Sequence, residues 1–444
     1  MSTSAQTYFN ELADFINTKL ESTEQYTCWL SGESSDFVRM NKSKIRQAGH
    51  VRQDVFSIDL ISGQKHAEAS FRLTENIEVD RQQLTQTLNG LREIIAVLPD
   101  DPHLLVAEEI NNSDQVRSAN LISAAEATET ILSQCGDLDV VGIFAQGELY
   151  RAFANSFGQR NWYSSSNFNL DWSVYSHGDK AVKCSYAGVE WEESILRTKL
   201  EEAKAVLPLL TKPPKVIKPG KYRAYLAPAA VNELMSLLGW GAFSRKSQET
   251  KQSPLYRLMT GEESLNEKVS ICENVAGGIA PNFGPQGFIK NPVVQLVENG
   301  AFAQALCSAR TAKEYGGDHH GANGSESPES LELAPGQLDP GKVLEELGTG
   351  LYISNLWYLN YSDRMACRMT GMTRFASLWV ENGEIKAPLS VMRFDESMYR
   401  ALGENLIDFT NQAEVMLDPG TYFERSSSSS KVPGALIDNM NFAL

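Results

Sequence analysis

The sequence predicts an α+β protein, in which an N-terminal domain of mixed helices and antiparallel strands is followed by a β-rich C-terminal domain. Three observations lead to this class. Apolar residues recur at helical spacing near both ends of the first 207 residues, residues 51–60 alternate with the period of a strand, and prolines cluster at 208–219. A chain of 444 residues is long for one domain and suits two.

The N-terminal domain, residues 1–207, is predicted to mix both types of element. Helical spacing of apolar side chains predicts helices over 5–21, 78–98, 118–134 and 191–207. Strands are predicted at 27–30, 35–40, 46–63 and 65–75. Gly- and Asn-rich turns between residues 140 and 191 are typical of an antiparallel meander.

Four prolines interrupt regular structure between residues 208 and 219. Because proline lacks an N–H group and Pro-Pro disfavours both helices and central strands, this segment is predicted to be the linker. The C-terminal domain then covers residues 220–444, where a strand and a helix are expected first and mostly strands afterwards. The polar stretches at 316–330 and 426–430 are predicted to be mobile loops.

The same turn sequence occurs twice in the C-terminal domain, as LVENG (296–300) and WVENG (379–383). Asn-Gly between apolar runs predicts a type I′ hairpin, because that turn needs positive φ at both central residues. Two β-hairpins are therefore expected. Whether one hairpin design is used twice, or the likeness arose by chance, stays open on four shared residues.

Charge and composition exclude several function classes. A net charge of −16 argues against broad nucleic-acid binding and against anionic membrane surfaces. No apolar run approaches the roughly 20 residues of a membrane-spanning helix, and the first 20 residues lack the features of a signal peptide. Six cysteines without a CxxC motif suggest reduced core thiols. A cytoplasmic location is expected.

Few residues carry a recognisable catalytic pattern. HExxH, GxSxG, P-loop and GxGxxG motifs are all missing from the sequence. His319 and His320 form the only histidine pair, and exposed loop histidines are favoured over a metal site that would include Asp318. Cys367 lies between Arg364 and Arg368, which would lower its pKa if they were close.

Aromatic and polar residues crowd together between positions 354 and 375. Hydrogen-bonding groups beside aromatic rings suit the recognition of a peptide, so this segment is a candidate peptide cleft. Its candidate residues are Asn355, Tyr358, Tyr361, Arg368 and Arg374. A buried β-loop with internal hydrogen bonds would have the same composition, and both interpretations stay open.

The chain resembles the TldD/TldE (PmbA) family over nearly its whole length. The resemblance is carried by RQAGHVRQ (46–53), RAFANSFGQ (151–159), PGKYRAYLAP (219–228) and the segments 296–316, 348–357 and 370–389. It implies one of two kinds of subunit. TldD-type chains look like zinc metallopeptidases with HExxxH on the helix that follows the linker, whereas TldE-type chains share the fold without these ligands.

In this chain, that helix has Asn232, Glu233, Leu234, Met235 and Leu238 where zinc ligands would be expected. The resemblance therefore implies a TldE-type subunit with no catalytic residues, no metal site and no cofactor of its own. Zinc is expected in a TldD-type partner, and the dimer would process unfolded or modified peptides. Two alternatives remain: a self-sufficient hydrolase with an unrecognised metal site, and a non-enzymatic regulatory or binding protein.

Overall fold

The N-terminal half of the chain folds around a seven-stranded sheet in the order β3-β2-β1-β5-β6-β4, with β7 also paired to β6. The structure is a computed structural model that describes residues 2–443. The strands are β1 Glu24–Asn41, β2 Lys44–Ser62, β3 Lys65–Arg72, β4 Ser113–Arg117, β5 Asp139–Asn155, β6 Arg160–His177 and β7 Lys180–Gly188. The helices are α1 Ser2–Asn17, α2 Ile77–Val97, α3 Ala124–Cys135 and α4 Glu193–Leu210.

Alternation along the strands gives this sheet two different faces. Leu30, Ala152 and Trp162 belong to the apolar cluster in which α1 and α2 pack on the sheet. Their odd-numbered neighbours project from the opposite face, where Phe153 and Tyr163 contact Phe283 of the C-terminal half. Around β1, β5 and β6 the sheet is thus buried on both sides, by its own helices and by the second half of the chain.

Two of the predicted strands, 27–30 and 35–40, are one continuous strand, β1. The intervening SGESS looks like a turn but runs through the sheet, with Glu33 and Ser35 buried. Gly32 is needed there for space, since a Cβ atom would lie 1.9 Å from the Tyr150 ring. The turn-like composition therefore comes from polar burial and close packing.

The C-terminal half forms an eleven-stranded mixed sheet in the order β11-β10-β9-β12-β18-β16-β14-β13-β8. Its strands are β8 Gly220–Leu226, β9 Ile271–Glu273, β10 Val294–Glu298, β11 Ala301–Phe302, β12 Ser330–Leu333, β13 Gly350–Asp363, β14 Arg368–Glu381, β15 Glu384–Pro388, β16 Arg393–Ser397, β17 Leu406–Leu417 and β18 Ser429–Phe442. Its helices are α5 Pro228–Leu238, α6 Arg245–Glu249, α7 Tyr256–Met259, α8 Ala309–Tyr315 and α9 Val343–Leu347.

Strand β18 is the centre of this sheet. It pairs with β12, β16 and β17, and also with β8, which in turn pairs with β13. The pairings β18-β16-β14-β13-β8-β18 therefore close a ring of strands. Helix α5 packs on β13 and β18 of this ring.

Both predicted Asn-Gly hairpins are confirmed. In the β10–β11 turn, Asn299 and Gly300 have φ values of 48° and 79°. In the β14–β15 turn, Asn382 and Gly383 have 51° and 77°. Positive φ at both central positions is the type I′ conformation that was expected.

Several predicted boundaries differ from the structure. Helix α4 continues to Leu210 and includes Pro208, although the proline removes the hydrogen bond to the carbonyl four residues earlier, because only two residues follow it in the helix. Residues 118–123 precede α3 instead of starting it. Between α6 and β10 the chain has loops and short helices, with three residues of strand, where mostly strands were expected.

The prediction of a loop at 426–430 was wrong at its second half. Ser429 and Ser430 begin β18 and pair with Ser330 and Leu331 of β12. Pairing with neighbouring strands satisfies their backbone groups, which overrides the low strand propensity of a serine run. The loop at 316–330 is held by Glu326, whose buried carboxylate accepts hydrogen bonds from Ser308 N and Lys246 N.

Candidate functional site

Helix α5 is the element on which the resemblance leads us to look for metal ligands. It begins at Pro228, whose missing N–H would have had no partner in the first turn anyway. One side is buried in the C-terminal core, with Ala230, Val231, Leu234, Met235, Leu237 and Leu238. The helix is therefore fixed by hydrocarbon packing, and only its opposite side is available for polar contacts.

That opposite side carries Asn232 and Glu233. The Asn232 side-chain oxygen accepts a hydrogen bond from the Ser430 hydroxyl at 2.5 Å. Glu233 is exposed, but the surrounding protein partly desolvates its carboxylate and thereby raises its pKa. One amide and one carboxylate do not fit a tetrahedral zinc site, which takes imidazole, thiolate and carboxylate ligands. Within residues 2–443, no group of three His, Cys, Asp or Glu side chains could hold a metal ion.

The β13–β14 hairpin carries the predicted peptide-cleft residues, and it exposes aromatic rings at its surface. Trp357 is 54% exposed and Tyr358 is 82% exposed. The Arg374 guanidinium lies 5.6 Å from the centre of the Trp357 ring, close enough for a cation–π contact. Tyr358 has a φ of 58° at an irregularity of the register, which turns its side chain away from the regular pleat.

The five candidate residues separate into two groups along this hairpin. Asn355 and Arg374 are directly opposite each other in the register, and the Asn355 side-chain oxygen is buried without a hydrogen-bond partner. Tyr361, six residues further along β13 and thus roughly 20 Å away, donates its hydroxyl to Leu237 O of α5 at 3.0 Å. Arg368 approaches Asp395 of β16 at 3.6 Å.

Tyr361 and Arg368 therefore have partners within the chain. The Asn355–Arg374 pair, together with the exposed rings of Trp357 and Tyr358, has free surface. A peptide-binding surface on this hairpin stays a prediction, and this second group is the part of it that a ligand could reach.

His320 of the histidine pair lines a cavity of about 510 Å³. Asp318 and His320 contribute to its wall, together with Lys251 and Cys307. The His319 ring is exposed and meets the Phe288 ring edge-on at 4.9 Å. His320 is half-buried, burial lowers its pKa, and its Nδ1 atom has no partner.

The lowered pKa that nearby arginines would have given Cys367 is not found. Its thiol is fully buried, and burial raises its pKa to about 12. Arg364 acts in the opposite direction but is directed elsewhere, donating to Trp240 O and Gln252 O. The six cysteines are free, and four of them are buried, as expected for reduced core thiols.

Sequence reasoning missed a buried polar seam between the two halves of the chain. Arg425 is 4% exposed and donates to Ser35 Oγ and to the side-chain oxygen of Asn167. Its backbone N–H donates to Glu33 at 3.1 Å, and burial lowers the pKa of its guanidinium to about 10. The sequence signal was the polar run in β1, whose residues would be costly to bury without partners.

A second buried carboxylate lies on the C-terminal side of this seam. Glu273 accepts hydrogen bonds from the backbone N–H groups of Glu329 and Ser330, at 3.0–3.1 Å. Burial nevertheless raises its pKa to about 7. The start of β12 is therefore held by a group whose charge changes near neutral pH.

Comparison with protein families gives one match. Residues 219–444, just over half of the chain, match the family model described as the PmbA/TldA metallopeptidase C-terminal domain. A comparison with curated protein sequences gave no significant match. None of the helices within residues 2–443 is long and apolar enough to cross a membrane.

Solved structures share the fold over nearly the whole chain. TldE from Thermococcus kodakarensis has 14% identity and a TM-score of 0.77, covering 98% of this chain and 100% of its own. A proposed modulator of DNA gyrase from Thermotoga maritima has 15% identity and a TM-score of 0.74, covering 98% and 99%. A similarly described protein from Bacteroides thetaiotaomicron has 14% identity and a TM-score of 0.73, and the match covers 98% of each chain. These likenesses confirm the α+β fold.

Proposed function

The chain belongs to the PmbA/TldD metallopeptidase family, and from that premise we propose that it is a subunit without catalytic zinc. In this proposal it completes the peptide cleft of a TldD-type partner, which supplies the zinc and the glutamate that activate water. The complex processes unfolded or modified peptides in the cytoplasm. The single observation that supports this role is the donor set of α5.

Zinc catalysis needs several lone-pair donors converging on one point, with one position left open for water. On α5 the accessible donors are Asn232, already bonded to Ser430, and Glu233. The remaining side chains at the relevant turns are buried leucine and methionine. The helix is well suited to supporting β13 and β18, and poorly suited to holding an ion.

The peptide-binding part of the proposal rests on the β13–β14 hairpin. Trp357 and Tyr358 offer flat apolar surface, and Arg374 offers a cation beside them. Asn355 lies opposite Arg374 in the register, and its side-chain oxygen, buried without a partner, would become available only if the hairpin shifts on binding. These groups match what an extended peptide presents, namely N–H donors, side chains and a terminal or side-chain carboxylate.

Reconstitution with a TldD-type HExxxH subunit tests the role. We expect stoichiometric zinc in the partner and none in this chain by elemental analysis, and cleavage of an unfolded peptide only when both are mixed. Tyr358→Ala and Arg374→Ala should each raise KM without preventing assembly. Tyr422→Ala, which removes a similarly exposed ring elsewhere, should leave KM unchanged. Zinc bound by this chain alone, or cleavage by it alone, would contradict the proposal.

The cavity beside His320 favours a second candidate, a hydrolytic site of the chain's own. Asp318 and His320, whose Nδ1 atom has no hydrogen-bond partner, border the same 510 Å³ space, which is within the size range of small-molecule sites. If this candidate were right, the isolated chain would bind a divalent metal and His320→Ala would abolish the binding.

A further inference from the structure

Strand β2 is the outermost strand of the N-terminal sheet along its first half. Strand β3 pairs with β2 only from Val55 to Ser62, so residues 44–53 have β1 on one side and no strand on the other. Nine consecutive residues, 44–52, are exposed on both faces. A long edge of unpaired N–H and C=O groups is the surface on which a further strand can add.

This edge is basic within an acidic protein. Residues 39–53 contain Arg39, Lys42, Lys44, Arg46 and Arg52 but no Asp or Glu, whereas the whole chain carries −16. Lys44 and Arg46 have no ionic partner among the residues that the structure describes. Arg52 and His50 pair with Glu75 and Asp36, so the cations left without an acidic partner lie at the Lys44–Arg46 end of the edge.

An acidic residue of the chain itself forms an ion pair with this edge. Glu75, three residues after β3 ends, pairs with Arg52 at 3.1 Å. It lies in line with the row that β3 occupies, beyond the last β2–β3 pair. An incoming strand placed further along the same row would meet Arg46 and Lys44 next.

Apolar groups are present beside the charges. Ile45 and Val51 are 50% and 38% exposed within the edge itself. Phe423 is 91% exposed, and its carbonyl oxygen accepts a hydrogen bond from Gln53 at the inner end of the edge. A strand with acidic residues alternating with apolar ones would satisfy both kinds of group.

A second copy of this chain does not fit. Antiparallel pairing centred on Ala48 would set Lys44 of one copy opposite Arg52 of the other, and Arg46 opposite His50. Parallel pairing would set identical cations side by side. Like charges opposite each other destabilise a strand pair, so pairing between two copies of this edge is disfavoured.

We propose that residues 44–53 of β2 are a docking edge for an extended segment of a different polypeptide, in which Asp or Glu alternates with apolar residues. Backbone hydrogen bonds provide the attachment, and the basic side chains select the sequence. The proposal does not depend on the metallopeptidase role.

Short synthetic peptides and the full chain provide the test. The probes are a fluorescent peptide alternating glutamate with valine and threonine, and the same peptide with lysine in place of glutamate. We expect the acidic peptide to bind at least about tenfold more tightly, and the backbone amides of residues 44–53 to exchange hydrogen more slowly when it is bound. N-methylation of alternate peptide nitrogens should abolish this protection, because it removes the donors that pair with the edge.

Charge reversal supplies the matched variants. Lys44→Glu combined with Arg46→Glu removes cations that have no partner within the chain, so folding should be preserved, and the preference should shift toward the lysine peptide. Lys218→Glu combined with Lys342→Glu changes the net charge equally at exposed sites elsewhere and should leave the preference unchanged. Equal binding of both peptides, protection outside 44–53, or a homodimer of the chain alone with 44–53 protected would each overturn the proposal.

Discussion

The two Asn-Gly turns allow a controlled test of how surroundings determine the stability of one turn sequence. Gly300 and Gly383 have nearly the same φ, 79° and 77°, and the same preceding Val-Glu-Asn. Their environments differ. A Cβ atom on Gly300 would lie 2.4 Å from Leu265 O and 2.6 Å from Asn266 O, whereas one on Gly383 would have Leu344 O as its nearest neighbour at 3.4 Å.

Alanine at either position would adopt a left-handed backbone conformation, which costs about 1–2 kcal/mol in the free energy of folding. Gly300→Ala must in addition displace the backbone at residues 265–266, which is held by the hydrogen bond from Leu265 N to Gly300 O at 2.9 Å. Overpacking of this kind costs about 1–3 kcal/mol. Gly383→Ala should therefore lower the free energy of unfolding by about 1–2 kcal/mol, and Gly300→Ala by about 2–5 kcal/mol.

Urea denaturation followed by tryptophan fluorescence and by far-ultraviolet circular dichroism would measure both losses. Because a chain with two sheets can unfold in two steps, the transition of the C-terminal half should be fitted separately, with hydrogen exchange of β10 and β14 identifying it. Gly383→Ala is the matched control, since it shares the sequence and the backbone conformation. Equal losses for the two variants would refute the reasoning, because they would mean that backbone conformation alone decides.

Three further predictions follow from buried groups. Cys367, whose thiol pKa is raised to about 12, should resist alkylation by iodoacetamide at pH 8 in the folded chain and react promptly in urea; labelling at equal rates in both would show that the site is open. Glu273 has a folded-state pKa of about 7, above the unfolded value of about 4.3, so the folded chain keeps a proton that the unfolded chain releases, and stability is lost as pH rises between these values. The free energy of unfolding of Glu273→Gln minus that of wild type should therefore increase by up to about 3 kcal/mol between pH 4 and pH 7, as measured in urea titrations. A difference that does not depend on pH would contradict the assigned pKa. Arg425→Met should destabilise the chain by about 3–5 kcal/mol, because it leaves the Asn167 side-chain oxygen without its donor and removes a nearby cation from the buried Glu33 carboxylate, although the backbone N–H of residue 425 still donates to Glu33; Lys218→Met serves as the exposed control, and a loss below about 1 kcal/mol would show that water replaces the guanidinium.

The elements that the sequence predicted well are those whose signal is local. The period of apolar residues located α2 within one residue at each end, and the Asn-Gly steps located both type I′ turns. The resemblance that named the family was confirmed by the match over residues 219–444. For the helix and the two turns, the residues within one element carried enough information.

The features that the sequence did not predict share a different cause, which is contact between residues distant in the chain. SGESS in β1 looked like a turn because its partners, Tyr150 and Arg425, lie 118 or more positions away in the chain. For Cys367, the charge of Arg364 does act on the thiol, but burial of the sulfur outweighs it, and that burial depends on contacts with residues distant in the chain. For the candidate site, the sequence identified the aromatic hairpin, but it could not tell that Tyr361 and Arg368 have partners of their own.

The closed ring of strands has a consequence for biosynthesis. Strand β18 is translated after every other strand in residues 2–443, yet it joins β8, β12, β16 and β17. The C-terminal sheet therefore cannot close while that last segment is still inside the ribosome, and its earlier strands must wait with open edges. The N-terminal sheet has no such dependence, so it can fold first and offer its polar seam as a template for the half that follows.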